Sequence, residues 1–152
     1  MCTAAAALVC VLGVVAAAAA DEAPLPEVAA ALDRIKGAST VELATTGRKT
    51  GKEHKKPVWF VVQDGTIVVQ AGKDGKTDWY RNLTKTPTAV VRQDGYSFRV
   101  RAVMVTDAQR VEAVHKLFTA KYTTAWLLSF LGSSIGQGRP VELVPVAVSV
   151  QR

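Results

Sequence analysis

Hydrophobic positions along this chain change their period several times, and each change marks an element. Residues 4–20 form one unbroken apolar run, and the first charged side chains follow in Asp21-Glu22-Ala23-Pro24. From Leu25-Pro26-Glu27 onward, Val28, Leu32 and Ile35 recur at helical spacing, with Pro in the first turn and Gly37 at the stop. The period then becomes two. Thr40–Thr45, Pro57–Gln63, Thr66–Ala71, Thr88–Arg92, Tyr96–Val105 and Val141–Val150 read as strands. In Tyr96–Val105, Phe98, Val100, Ala102 and Met104 share one face, while Arg99 and Arg101 share the other. Asp64-Gly65 and Asp94-Gly95 have the composition of tight hairpin turns. Gly72–Lys76 reads as a loop, and Thr77 stands where it can N-cap a short helix over Asp78–Leu83 that ends before Pro87. Thr106-Asp107 caps a helix with Val111, Val114, Leu117 and Phe118 on its core side, and Trp126–Leu131 continues as helix or tight turn.

About six strands, four of them in two pairs joined by tight turns, imply antiparallel pairing. The fold class expected is mainly β with flanking helices (α+β), a small closed or half-open barrel that buries its strands without exposed edges. Residues 1–20 would be a leader, 21–38 an N-terminal helix and 39–152 the barrel domain.

Composition narrows the function. With 152 residues, 49% hydrophobic and 21% charged, the chain is one globular domain and not a disordered one. Its only cysteines, Cys2 and Cys10, lie inside the apolar run, so thiol catalysis, Cys-based metal sites and a disulfide scaffold are excluded for the remainder. No metal site is expected. The apolar run ends in Ala18-Ala19-Ala20, which resembles a signal-peptidase site and predicts export, periplasmic or extracellular; an uncleaved membrane anchor, which would bring the domain near a membrane, and a mis-assigned start of a cytoplasmic protein are the other two readings.

Nineteen Lys and Arg against thirteen Asp and Glu leave a net charge of +6. The densest positive stretch is Thr46-Gly47-Arg48-Lys49-Thr50-Gly51-Lys52-Glu53-His54-Lys55-Lys56-Pro57. By itself such a run reads as a solvated basic loop. It also reads as an anion site, because a glycine-bounded turn can aim backbone N–H groups outward while Arg grips phosphate or carboxylate. Farther on, Lys73, Trp79 and Asn82 near a Gly-rich backbone could hold a planar heterocycle, although Trp79 could equally be core. Nucleic acid is not an expected partner, since no recognition helix or interleaved aromatics accompany the run. No hydrolase or nucleotide-binding motif occurs, and His115 falls near the core side of its helix.

The stretch from Val41 to Val105, with the Thr46–Gly51 turn and Trp79-Tyr80-Arg81-Asn82-Leu83, resembles the deazaflavin-dependent nitroreductase family. That resemblance implies a six-stranded split β-barrel, FMN-binding-like, that uses the reduced deazaflavin coenzyme F420. It implies that Arg48, Lys49 and Thr50 cradle the coenzyme's phosphate and acidic tail. His54, Lys55, Lys56, Pro57, Val58 and Trp59 would line the next wall. Gln70, Ala71, Gly72 and Lys73 would contact the ring or its ribityl chain, and Asp78, Trp79, Tyr80, Arg81 and Asn82 would close the site. His54 stands where the family usually has Arg, and Gly72 where it usually has Ser. The implied reaction is hydride transfer to a small-molecule electron acceptor (a quinone, enone or nitro compound), with Tyr122 the candidate donor of a proton or hydrogen bond to the acceptor oxygen, or as easily a packing residue. A homodimer is expected by analogy. A different class of function stays open beside it, an exported, non-catalytic barrel that binds haem, a flavin such as FMN, or a fatty acid.

Overall fold

In the computed structural model, the described residues are 25–123 and 138–151. Residues 1–20, expected to be a leader, and the Trp126–Leu131 segment lie outside them. Among the described residues, four helices and six strands follow in the order α1 (Pro26–Ile35), β1 (Thr40–Thr46), β2 (Glu53–Gln63), β3 (Thr66–Ala71), α2 (Gly72–Gly75), α3 (Asp78–Lys85), β4 (Thr88–Gln93), β5 (Tyr96–Met104), α4 (Ala108–Lys121) and β6 (Arg139–Val150). Every strand pairing is antiparallel, and the six close into a barrel in the order β1-β2-β3-β6-β5-β4, with β4 returning to β1. Closure leaves no unpaired edge among them.

Local chemistry sets the connections. Asp64 and Gly65 both have positive φ (50° and 72°), as do Asp94 and Gly95 (49° and 79°). That backbone belongs to the two-residue turn whose twist matches the flanking strands, which is why each Asp-Gly pair closes a hairpin. The side chain of Asp107 accepts a hydrogen bond from the Arg110 N–H at 2.8 Å and caps α4.

Two cores result from the period of two. Facing inward, Val41, Leu43, Phe60, Ile67, Val69, Val91, Phe98, Val100 and Leu143 fill the barrel, joined by Val28, Leu32 and Ile35 of α1 and by Trp79 and Leu83 of α3. Facing outward, Val61 and Val68 are covered by Val114 and Phe118 of α4 together with Tyr122, and form a second core. β3 is therefore apolar almost throughout, because its middle is covered on both faces. At the other end of α4, Arg110 reaches Glu142 of β6 at 2.6 Å and Gln63 of β2 at 3.0 Å.

Two elements depart from the pattern. β2 begins at Glu53 rather than Pro57, since pairing with β1 (Thr46 opposite Glu53, Leu43 opposite Lys56) extends a segment that has no apolar side chain of its own. Gly72–Gly75 forms one helical turn instead of a loop. Among the described residues no helix is long and apolar enough to cross a membrane.

Candidate functional site

α3 packs against β1 beside the β1–β2 turn. Two backbone hydrogen bonds and two glycines fix that turn. The Gly47 N–H donates to the Lys52 carbonyl at 2.8 Å, and the Gly51 N–H donates to the Gly47 carbonyl at 2.8 Å. Gly51 takes φ +68°, where only glycine is unstrained. A side chain at Gly47 would put its Cβ 2.6 Å from His54 Nε2 and 2.7 Å from Thr50 Oγ1, so any other residue there would push the His54 ring and the Thr50 hydroxyl from their places against the turn.

Asn82 joins the turn to the helix. Its side chain is 3% exposed. Its Oδ1 accepts from the Arg48 backbone N–H at 3.1 Å and from Arg48 Nη1 at 3.2 Å, and its Nδ2 donates to Thr45 Oγ1 at 3.1 Å. Lys85, at the other end of α3, donates to the Arg48 carbonyl at 2.8 Å. Arg48 is thus held at both ends, and its Nη2 meets Asp78 Oδ1 at 2.9 Å. That guanidinium holds the Asp78 carboxyl below its ordinary range, first through the hydrogen bond and then through its charge.

Between turn, helix and β2 lies a cleft of about 680 Å³. The turn contributes Gly47, Arg48, Lys49 and Thr50; β2 contributes His54, Lys56 and Pro57; the approach to α3 and α3 itself contribute Lys76, Thr77, Asp78, Trp79 and Asn82, with Thr45 from β1. Four basic side chains therefore face one carboxylate, Asp78. Among the described residues no carboxylate comes within 4 Å of Lys49, Lys56 or Lys76. The volume is in the range of small-molecule sites. Trp79 is 9% exposed, so it forms the floor of the cleft and belongs to the barrel core at the same time. Thr77 takes the N-cap position of α3 but makes no capping bond, and its buried Oγ1 has no partner among the described residues.

The family model for F420H(2)-dependent quinone reductase matches residues 26–125. The chain belongs to that family. A solved F420-H2-dependent reductase is 25% identical, with 70% of this chain and 94% of the other covered at a TM-score of 0.53. The fold recurs in a conserved hypothetical protein of Mycobacterium tuberculosis (21% identity, 79% and 81% covered, TM-score 0.63) and in HutZ, a heme storage protein of Vibrio cholerae (17% identity, 84% and 94% covered, TM-score 0.60).

For an F420H(2)-dependent quinone reductase family member, the strand period divides the basic run in two. Thr45 stands opposite His54 and Leu43 opposite Lys56, so His54 and Lys56 turn to the cleft side. Lys55 turns the other way, into an ion-pair network with Glu42 and Glu53, both 3.7 Å away, which Arg92 shares at 3.2 and 3.5 Å. Val58 points into the barrel. Gln70, Ala71 and Gly72 do not line the cleft. Ala71 is buried in the barrel core, and Gln70, on the same face of β3 as Val68, has a buried Nε2 without a partner among the described residues. Lys73 lies within α2. Tyr80 packs edge-on against Trp79 at 6.2 Å, and Arg81 is exposed on α3. Sequence reasoning did not single out Thr45, Gly47, Lys76 or Thr77 as site residues. Only the docking of α3 on β1 brings them together.

The structure places Tyr122 and Trp59 elsewhere, on the outer face of β2. Their rings stack at 4.8 Å. The Tyr122 hydroxyl accepts from the Phe60 N–H at 3.0 Å, and its proton has the Ser39 and Phe60 carbonyls each at 2.8 Å. Burial pushes its pKa up. Neighbouring Lys121 donates to the Phe60 carbonyl at 2.9 Å and sits 3.7 Å over the Phe60 ring; burial brings its pKa down to about 8. Tyr122 thus ties the end of α4 to β2. Tyr122→Phe should lower stability by about 1–3 kcal/mol, the cost of leaving the buried Phe60 N–H without this acceptor. Coenzyme affinity should not change. Thermal unfolding with a parallel coenzyme titration checks this, and a large affinity loss at unchanged stability would refute the tie.

Proposed function

We propose that this protein is an F420H2-dependent oxidoreductase whose cleft beside the β1–β2 turn holds the reduced deazaflavin and serves hydride transfer to a quinone, enone or nitro compound. One observation carries the reading: the cleft gathers Arg48, Lys49, Lys56 and Lys76 against a single carboxylate among its lining residues, Asp78, with Trp79 in the same lining. The donor set fits a coenzyme with an anionic arm and a flat head. When bound, the deazaflavin supplies the hydride, and the protein supplies position and electrostatics. Lys49, Lys56 and Lys76 neutralise the anionic arm as point charges, and Asn82 holds Arg48 and the turn in place. Trp79 gives the cleft a dry floor on the core side.

The test mixes the purified protein with reduced F420 and menadione and follows the return of oxidised-coenzyme absorbance. Protein-dependent, saturable oxidation is expected. Failure with menadione, an enone and a nitro compound alike, together with haem or a fatty acid copurifying from the native host, would contradict the reading.

A further inference from the structure

Arg48 is the best-anchored cation of the cleft, yet its outward nitrogen does not face free solvent. Three contacts fix the residue: the backbone N–H and Nη1 to Asn82, and the carbonyl to Lys85. The fourth, Nη2 to Asp78 at 2.9 Å, is of a different kind. The Asp78 side chain is 83% exposed, stands on the first residue of α3 and makes no other hydrogen bond among the described residues. An ion pair so open to water adds little to stability. Its carboxylate sits where an anionic group of a ligand would meet Arg48.

We propose that Asp78 is a displaceable internal carboxylate, a specificity residue that yields its place on Arg48 to an anionic group of the ligand and thereby makes the cleft select polyanions over monoanions. The inference rests on reading the cleft as the coenzyme site. A monoanion that replaces Asp78 exchanges one anion for another on Arg48 and gains almost nothing. A ligand with further charges gains in addition from Lys49, Lys56 and Lys76. The released carboxylate has a second partner at hand, Arg81, one helical turn along α3 and likewise exposed. Arg81 already acts on the Asp78 carboxyl, after Arg48, in the same direction. Arg48 itself need not move, because Asn82 and Lys85 keep it in position.

The full chain is titrated calorimetrically with pyrophosphate and with acetate at constant ionic strength. Asp78→Asn keeps an oxygen for Arg48 and removes the charge. It should bind pyrophosphate about five- to fifteen-fold tighter than the wild type. Acetate should gain at least as much, so that the preference for pyrophosphate narrows. Arg81→Gln should weaken pyrophosphate about two- to four-fold in the wild-type background and not at all beside Asp78→Asn, as coupling through the displaced carboxylate requires. Equal or weaker pyrophosphate binding by Asp78→Asn at unchanged thermal stability would overturn the proposal, as would the absence of saturable pyrophosphate binding in both proteins. The pyrophosphate pattern without any deazaflavin binding would sink the proposed function and leave this inference standing; deazaflavin binding without the pattern would do the reverse.

Discussion

Reversing Lys49 and Lys76 together to Glu should weaken binding of the coenzyme about 100-fold at low salt. The two lysines flank the cleft from opposite sides, one on the β1–β2 turn and one at the approach to α3. Both are exposed and without a carboxylate partner within 4 Å among the described residues, so the fold does not depend on them. Each reversal replaces an attraction by a repulsion. At 5–8 Å and the dielectric of water, which suits lysines this exposed, the two together are worth about 2–3 kcal/mol, or roughly two decades in affinity. The loss should shrink to less than about tenfold in 1 M salt, where the screening length falls to about 3 Å. Coenzyme fluorescence titrations at the two salt concentrations measure this. A salt-independent loss would point to misfolding, and no loss would place the anionic arm elsewhere.

Asn82→Ala should be the most damaging change near the cleft. It leaves the Arg48 backbone N–H, one Arg48 guanidinium nitrogen and the Thr45 hydroxyl without their partner at a site only 3% exposed. A destabilisation of about 2–4 kcal/mol follows, a fall of roughly 10 °C in the unfolding midpoint for a domain of this size. Affinity should fall as well, because the turn loses its tie to α3. Asn82→Asp separates the two effects. It keeps an acceptor for both Arg48 donors, so stability should largely return, while the added negative charge in the cleft keeps the affinity low. Equal behaviour of the two variants in both measurements would contradict the hub assigned to Asn82.

How much of this was legible depended on distance along the chain. The alternation in β5 separated Phe98, Val100 and Ala102 from Arg99 and Arg101, and the barrel buries the first set and exposes the second. Both Asp-Gly turns and the Asp107 cap are decided by two to four neighbouring residues, and both stood in the sequence as they stand in the fold. The family resemblance drawn from the Thr46–Gly51 turn and Trp79–Leu83 agrees with the family to which the chain belongs. The extension of β2 to Glu53 was not legible, because Glu53, His54, Lys55 and Lys56 carry no apolar signal and become a strand only by pairing with β1. That same strand hides the sorting of the basic run. Read linearly, Lys55 and Lys56 are equivalent; on a pleated backbone one faces the cleft and the other joins Glu42 and Glu53. Gln70 shows the same effect, since the period of two sets it beside Val68 on the outer face. Tyr122 was a candidate only through the family resemblance, and nothing local reveals that its hydroxyl ends on Ser39 and Phe60, both far away along the chain.

The most direct test of the central claim locates the coenzyme on the protein. Backbone amide resonances of the isotopically labelled chain are followed while the deazaflavin is titrated in. The account predicts the largest shifts at Gly47–Gly51 and at Lys76–Asn82, with Tyr122 and the end of α4 little changed. Shifts concentrated on the outer face of β2 beneath α4, or no saturable shifts at the β1–β2 turn, would contradict it.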